Sequence, residues 1–173
     1  MKVIIVLDQI QAGLGGKEKA ATPFGGKKIS MGSAENIEKR LKEHDGEIIA
    51  TFYCGTSYFK ENKAVVTRKF TKMAQKMAAD VVITGPTFDY HDFAEMALTL
   101  ADAYREEKVP VISAVAIEKN QELIDDYKDK LLIVKMPKKG DPGLPDSLNH
   151  LVEGCQLLSE KKETTEFKQK YCY

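Results

Sequence analysis

Small, polar and glycine-containing segments follow four apolar runs of this sequence, and they hold its best-placed reactive side chains. The segments are Asp8-Gln9, Cys54-Gly55-Thr56-Ser57-Tyr58, Gly85-Pro86-Thr87-Phe88-Asp89 and Ser113-Ala114. Carboxylates and amides can orient a ligand, a thiol can act as a nucleophile, and glycine lets a ligand approach the backbone. Because open α/β sheets bind ligands outside the carboxyl ends of their strands, we predict that the first three segments line a small-molecule site.

Two side chains near these strand ends are candidates for catalysis. Cys54 could be a nucleophile if nearby helix N-termini or lysines favour its thiolate, or a small buried residue that closes the strand end. His91 lies between Asp89 and Asp92, where carboxylates would raise its pKa and suit it to proton transfer. The alternative is a solvated histidine in the first turn of a helix, with Asp89 as the N-cap. The sequence leaves both pairs of alternatives open.

A long glycine-containing loop follows the first strand. About two dozen residues, 9–32, separate that strand from the first helix, whereas such junctions normally take roughly two to six. The loop does not fit a dinucleotide fingerprint, because Lys19 stands where the third glycine or alanine should be. We predict that Gly13, Gly15 and Gly16 form one wall of the crevice; the alternative is a flexible loop whose glycines only permit turns.

Neither metal nor cofactor binding is predicted. The histidines, His44, His91 and His150, show no metal-binding spacing. The cysteines are odd in number and widely spaced, which suggests neither a disulfide framework nor a zinc site: they are Cys54, Cys155 and Cys172. Such cysteine usage fits a reducing cytoplasm, and we expect a cytoplasmic protein.

Composition narrows the classes of partner. The 173 residues are 43% hydrophobic and 30% charged, as in an ordinary globular domain. Twenty-six basic and 26 acidic residues give a formal net charge of zero, which argues against nucleic acid and anionic membranes. No secretory signal and no apolar run long enough to span a membrane are found. Near-neutrality removes one barrier to self-association, and we expect a homo-oligomer, a separate partner subunit, or both.

Apolar runs alternate with amphipathic stretches, which is typical of βαβ units. Strands are predicted at Val3–Leu7, Ile48–Tyr53, Val81–Thr84, Val109–Ser113 and Leu131–Lys135. Helices are predicted at about residues 34–44, 61–78, 90–108, 120–127 and 144–161. The fold class is therefore α/β: a three-layer αβα sandwich with a doubly wound, mainly parallel sheet of about five strands, flavodoxin-like or Rossmann-like. Residues 1–160 are predicted to form a single domain, and 161–173 a charged C-terminal tail that is frayed or docked on a partner.

Three of these segments resemble a known family. Asp8-Gln9 with Ala12 to Ala20 is similar to the opening of the large B-component subunit of glycine, sarcosine and betaine reductases. Cys54 to Asn62 resembles that family's Cys-Gly-acidic-Asn-Tyr-Phe segment, and Gly85 to Phe88 resembles its Gly-Pro-Ala-Phe turn. The blocks occur in the correct order at predicted strand ends, and the resemblance spans about residues 1–160. Thr56-Ser57 departs from the family's acidic-Asn pair, so a shared substrate specificity is not implied.

The resemblance implies a part in reductive cleavage of the C–N bond of an amino acid or amine. In the family a selenocysteine, or a cysteine in its place, attacks the activated amine from a redox motif in the C-terminal half. No such motif occurs here. We therefore expect a stand-alone subunit that contributes a substrate-binding or partner-docking surface, with the redox-active residue on a separate chain. The alternatives are an independent domain that binds an amine or carboxylate without catalysis, and a thiol enzyme using Cys54.

Overall fold

The computed structural model describes all residues, 1–173, as an α/β chain with six strands and seven helices. The strands are β1 (Lys2–Asp8), β2 (Gly25–Lys27), β3 (Glu47–Cys54), β4 (Val81–Thr84), β5 (Val111–Val115) and β6 (Ile133–Lys135). The helices are α1 (Ala34–Lys42), α2 (Thr56–Glu61), α3 (Lys63–Lys76), α4 (His91–Glu106), α5 (Gln121–Tyr127), α6 (Leu144–Ser159) and α7 (Thr165–Tyr171). None of the helices combines the length and the apolar composition that crossing a membrane requires.

All strands belong to one sheet, in the order β2-β3-β1-β4-β5-β6. Every pairing is parallel except that of β2 with β3. The five parallel strands, numbered among themselves along the chain, follow the 2-1-3-4-5 order of flavodoxin-like sheets. The order therefore reverses between β1 and β4, and this switch point is where such folds place their ligands.

Burial on both faces explains the apolar character of the central strands. All of β4 and β5 and nearly all of β1 are inaccessible to solvent. Helices α1 and α6 contact each other and cover one face, while α4, with α2, α3 and α5 against it, covers the other. The predicted three-layer αβα sandwich with a mainly parallel sheet is confirmed.

The sixth strand, β2, was not expected. It lies inside the long loop, and its sequence Gly25-Gly26-Lys27 carries no strand signal because glycine is depleted in strands. Its pairing is fixed by tertiary contacts: the Thr51 hydroxyl donates to the Ile29 carbonyl at 2.7 Å and accepts from the Met31 N–H at 3.2 Å. Tertiary structure thus orders a segment that the sequence assigns only to a loop.

Two of the differences between predicted and observed elements bear on the candidate site. The helix expected over residues 61–78 is α3, and a short helix that was not predicted, α2, precedes it and meets it at Asn62. The Asn62 backbone leaves the helical region, and its side-chain amide donates to the Tyr58 carbonyl at 3.0 Å, a local bond that competes with helix continuation. Strand β5 begins and ends two residues later than predicted, so Ser113 and Ala114 lie within the strand rather than after it.

The last residues also differ from the tail that was predicted. Residues 165–171 form α7, whose Phe167 is buried against Gly154 of α6. Beyond the helix, Cys172 bridges Val134, and the Tyr173 N–H donates to the Ile133 carbonyl at 3.1 Å. These residues therefore cover the outer edge of β6. Two aromatic side chains in seven helical residues, Phe167 and Tyr171, are too few for a periodic pattern, which is why the sequence did not indicate the packing.

Candidate functional site

Asp8 and Cys54 lie side by side where β1 and β3 end. They are paired in the parallel register of the two strands, and both are buried. The Gln11 N–H donates to Asp8 Oδ1 at 2.7 Å. Burial outweighs this bond and raises the pKa of Asp8 to about 6, because a carboxylate loses its hydration in the interior. Asp8 therefore titrates near neutrality, a property often found at functional sites.

Cys54 is fully buried, and its environment disfavours a thiolate. Burial raises the pKa of the thiol to about 12, and its Sγ lies 3.4 Å from the Gly55 carbonyl oxygen. No neighbouring cation and no hydrogen bond to the thiolate offsets this effect, so the thiol is protonated at neutral pH in this structure. This environment agrees with the second of the two alternatives for Cys54, a small buried residue that closes the strand end.

The long loop lies against the start of α2. The Ser57 and Tyr58 N–H groups both donate to the Ala20 carbonyl, at 2.9 and 3.1 Å. The Gly55 N–H donates to the Thr22 carbonyl at 2.9 Å, and Gln9 Oε1 accepts from the Thr56 N–H at 3.2 Å. The free N–H groups at a helix start commonly bind anions; here the chain's own carbonyl oxygens satisfy them.

Gly55 is required by this close approach of the loop. Its backbone is extended and open to any residue, but a Cβ atom would collide with the Ala20 carbonyl and with Thr22 N. Gly13 and Gly15, in contrast, have the positive φ values of 77° and 141° that favour glycine, and both are exposed. The Gly16 N–H donates to Glu18 Oε1 at 3.0 Å. Gly13 and Gly15 thus form turns of the loop, whereas Gly55 allows the loop backbone to approach the start of α2.

The segment after β4 continues beside β1, since Val6 lies opposite Thr84 in their pairing. Gly85, Pro86, Thr87 and Phe88 are all buried. Backbone bonds connect them to the end of β5: the Thr87 N–H donates to the Ala114 carbonyl at 3.0 Å, and the Phe88 carbonyl accepts from the Ala116 N–H at 3.1 Å. Backbone hydrogen bonds therefore hold this turn against the end of β5.

Asp89 and His91 lie at a separate, more exposed cluster. The Asp89 carboxylate accepts from the Lys139 N–H and from Lys119 Nζ, both at 3.1 Å, and these bonds hold its pKa below the usual range. Asp89 is not the N-cap of α4, as the sequence had suggested as an alternative, because Tyr90 occupies that position without a side-chain cap.

His91 faces oxygen acceptors rather than flanking carboxylates. Its Nδ1 lies 2.9 Å from the Lys119 carbonyl oxygen and 3.1 Å from Asn120 Oδ1, so an Nδ1–H can donate to either. Asn120 is itself buried, and its amide donates to the Ala116 carbonyl at 3.0 Å. The ring is thereby oriented from the β5–α5 connection, while the residue as a whole stays exposed.

Three residues of this cluster were missed by the sequence analysis: Lys119, Asn120 and Lys139. Lys139 also places its ammonium 4.7 Å from the centre of the Phe88 ring. The first two follow the true end of β5, which lies two residues beyond the predicted one. Had the predicted strand ended two residues later, residues 116–120 would have been considered as site candidates. No nearby sequence pattern indicates that Lys139 belongs to the cluster.

The predicted residues are thus gathered at one edge of the sheet, and most are covered. Gly13, Gly15, Ser57 and His91 are exposed, while Asp8, Gln9, Cys54 and Thr56 lie beneath the loop. None of the five principal cavities is lined by a predicted site residue. No cluster of three or more His, Cys, Asp or Glu side chains is arranged to hold a metal ion. A ligand would reach the buried residues only if the loop moved.

Comparison with known proteins adds a family match. Residues 1–172 match the family described as glycine/sarcosine/betaine reductase selenoprotein B. The chain is 31% identical over 120 residues to the glycine reductase complex component B subunit gamma of Peptoclostridium litorale, and 29% identical over 120 residues to that of Peptoclostridium acidaminophilum. Each alignment covers 68% of this chain and 27% of the relative.

A further relative is the sarcosine reductase complex component B subunit beta of Peptoclostridium acidaminophilum. It is 25% identical over 136 residues, which cover 78% of this chain and 30% of the relative. The chain thus spans less than a third of the length of these curated relatives. No solved structure matches it.

Proposed function

The chain belongs to the glycine/sarcosine/betaine reductase selenoprotein B family, and from that premise we propose that it acts as one subunit of a reductase complex. The observation that carries the proposal is the family match over residues 1–172, nearly the whole chain. The three segments that resemble the family, Asp8-Gln9 with 12–20, 54–62 and 85–88, begin at the carboxyl ends of the neighbouring strands β1, β3 and β4, which supports a shared site.

We propose that the redox-active residue lies on another chain of the complex. The three cysteines, Cys54, Cys155 and Cys172, are buried and unpaired in this structure, and burial raises the pKa of each thiol. A selenolate or thiolate on the partner would displace the amine: its electron pair forms the new bond to carbon, and the C–N pair leaves with the amine. This chain would contribute the surface against which substrate and partner are held.

The exposed part of the site suits contact with a partner. Ser57 at the start of α2, Gly13 and Gly15 in the loop, and His91 at the start of α4 lie at the same edge of the sheet. Asp8 and Gln9 lie just beneath, where opening of the loop would expose them to a substrate. A partner that displaces the loop would therefore complete the site.

The direct test is reconstitution. The tagged chain is isolated from its own host, and co-purifying chains are identified by mass spectrometry. Amine release from glycine, sarcosine and betaine is then measured with a dithiol reductant. Release that needs both this chain and a chain carrying selenocysteine or cysteine supports the proposal; isolation as a homo-oligomer without such a partner contradicts it.

A matched pair of surface variants refines the test. Ser57→Arg places a bulky cation at the exposed edge of the site and is expected to weaken partner capture. Gln169→Arg makes a comparable change at an exposed position of α7, which lies beside the outer strand β6, and should leave capture unchanged. Equal capture by both variants would mean that the partner docks elsewhere.

A second candidate function is binding of an amine or carboxylate without catalysis. It is favoured by the two buried polar side chains at the switch point, Asp8 and Gln9, since buried polar groups often fix ligand orientation. Thermal denaturation with glycine, sarcosine, betaine or proline tests it. Stabilisation of the isolated chain would favour this candidate, and its absence at millimolar ligand would count against it.

A further inference from the structure

An apolar groove lies between the edge strand β2 and helix α3, and its Phe24 packs against Tyr58 of the site described above, with the ring centres 6.1 Å apart. It encloses about 290 Å³. The nearly buried rings of Phe52 and Phe70 line it, together with the partly exposed side chains of Phe24, Met73 and Met77. The groove shares no residue with the predicted site, so a role for it is independent of the proposed function.

The aromatic wall of the groove is already assembled. The Phe70 ring centre lies 5.0 Å from that of Phe52 and 5.9 Å from that of Phe24, the latter pair edge to face. Such contacts hold the rings in fixed positions. An incoming apolar side chain would therefore meet a formed surface rather than one that it must create.

The groove is bordered by positive charge. Lys27, Lys28 and Lys69 line it, no carboxylate does, and none of the three has a carboxylate within 4.0 Å. Helix α3 carries five basic residues and no acidic one, although the chain as a whole has no net charge. Of these five, Lys69 lines the groove, whereas Lys63, Arg68 and Lys72 line the neighbouring groove between α3 and α4.

Met73 is the large exposed hydrophobic residue of this groove, with 46% of its surface exposed. Together with the partly exposed Phe24 and Met77 it forms an apolar surface beside Lys27, Lys28 and Lys69. An apolar surface that is bordered by charged side chains is typical of an interaction site.

The two outer strands of the sheet, β2 and β6, differ in whether other residues of the chain cover their outer edge. The outer edge of β6 is covered by Cys172 and Tyr173 of the chain itself. The outer edge of β2 has no strand beyond it. Lysines on a short edge strand commonly prevent uncontrolled pairing, and the same charges select for a strand that brings carboxylates.

We propose that this groove docks an extended, acidic segment of a partner polypeptide. The segment pairs with the free edge of β2, places alternate apolar side chains against Phe24 and Met73, and sets carboxylates beside Lys27, Lys28 and Lys69. A second copy of this chain is a poorer occupant, because a twofold contact through this face would bring lysines against lysines. A small organic anion would use the lysines and the cavity but not the strand edge.

The proposal is tested with synthetic peptides and the intact chain. The probe is a short peptide in which glutamate alternates with leucine; the matched controls replace glutamate with lysine, or insert a proline that cannot pair. Calorimetry is expected to show binding of the acidic peptide alone, weaker at high salt. Amide NMR shifts should be largest at Gly25, Gly26 and Lys27.

Two charge-reversal variants on α3 test whether the peptide binds at this groove. Lys69→Glu, at the groove, should weaken peptide binding about tenfold, whereas Lys72→Glu, which faces a different groove between α3 and α4, should change it less than about twofold. Circular dichroism verifies that both variants fold.

Four results would overturn the proposal. The first is no binding of the acidic peptide, and the second is equal weakening by Lys69→Glu and Lys72→Glu, which would indicate unspecific attraction. The third is binding of decanoate without binding of the peptide, which would make the groove a small-molecule site. The fourth is a concentration-dependent dimer, by light scattering, that Met73→Glu disperses, which would make a second copy the occupant.

Discussion

Asp8 and Cys54 are neighbours across β1 and β3, and burial favours the protonated form of each. The two side chains differ in their charge near neutral pH. The pKa of Cys54, about 12, keeps the thiol protonated at any physiological pH, whereas that of Asp8, about 6, allows the carboxyl group to change its charge near neutrality.

Native Cys54 is expected to resist alkylation. Because the thiolate is the reacting form and the thiol is buried, iodoacetamide at pH 8 should label Cys54 far more slowly than it labels a small thiol. Time-resolved mass spectrometry, with and without urea, measures the rate. Fast labelling of the folded protein would revive the thiol-enzyme alternative, which this environment disfavours.

Asp8→Asn should stabilise the protein at alkaline pH. The folded-state pKa lies above the ordinary value of 3.8, so the stability contributed by Asp8 is full below pH 3.8 and is lost as the pH rises through about 6. Above that range the fold holds a buried carboxylate, which the amide replaces while keeping an acceptor for the Gln11 N–H.

The expected gain is about 2–3 kcal/mol at pH 8 and close to none at pH 4. Urea unfolding at both pH values measures it, with the exposed Asp141→Asn as the control. A variant that is less stable than wild type at pH 8 would mean that the Asp8 carboxylate is held by interactions other than those described.

At the scale of the elements, the loop is tied to α2 by close packing. The backbone bonds of Ala20 and Thr22 to residues 55, 57 and 58 exist only because Gly55 has no side chain. The position of the loop therefore depends on one residue of the neighbouring strand end as much as on its own glycines.

Gly55→Ala is expected to cost about 1–3 kcal/mol, since the added methyl meets backbone atoms that cannot rotate away. The loop should move off the strand end and become cleavable by trypsin at Lys17 and Lys19. Urea unfolding and limited proteolysis measure the two effects, with Ser57→Ala as the control. Unchanged proteolysis would show that the loop is held by other contacts.

A second contact between elements joins β4 to β5. The hydroxyls of Thr84 and Ser113 are completely buried and lie 2.6 Å apart, so one donates a hydrogen bond to the other. Thr84→Val and Ser113→Ala should each cost about 1–3 kcal/mol, because each leaves a buried hydroxyl without its partner. In the double variant no such group remains, and its cost should be less than the sum. Additive costs in a double-mutant cycle would contradict the pairing.

At the scale of the whole molecule, the C-terminal residues complete the fold. Phe167 lies in the space left by Gly154, and the residues after it cover β6. Phe167→Ala should cost about 3 kcal/mol and increase hydrogen exchange in Ile133–Lys135, because α7 would no longer hold the last residues on the strand. The exposed Gln169→Ala is the control. A negligible cost would favour the tail that the sequence predicted.

Patterns among residues close together in the sequence were sufficient to predict the sheet layer and the helix layers of this protein. Short apolar runs such as Val81–Thr84 are typical of strands covered on both faces, and regular apolar spacing such as that of Phe93 to Tyr104 is typical of one face of a helix. Glycine and small polar residues after the strands identified the edge of the sheet that carries the candidate site. Each of these signals is carried by residues close together in the chain.

Only the tertiary structure decided how that edge is filled. Whether Asp8 and Cys54 are open to solvent depends on a loop whose Ala20 packs against Gly55, a residue distant from it in sequence. The partners of Asp89, Lys119 and Lys139, likewise come from other elements. Burial, pKa and strand pairing at β2 are set by neighbours in space, and a sequence pattern reports only neighbours along the chain.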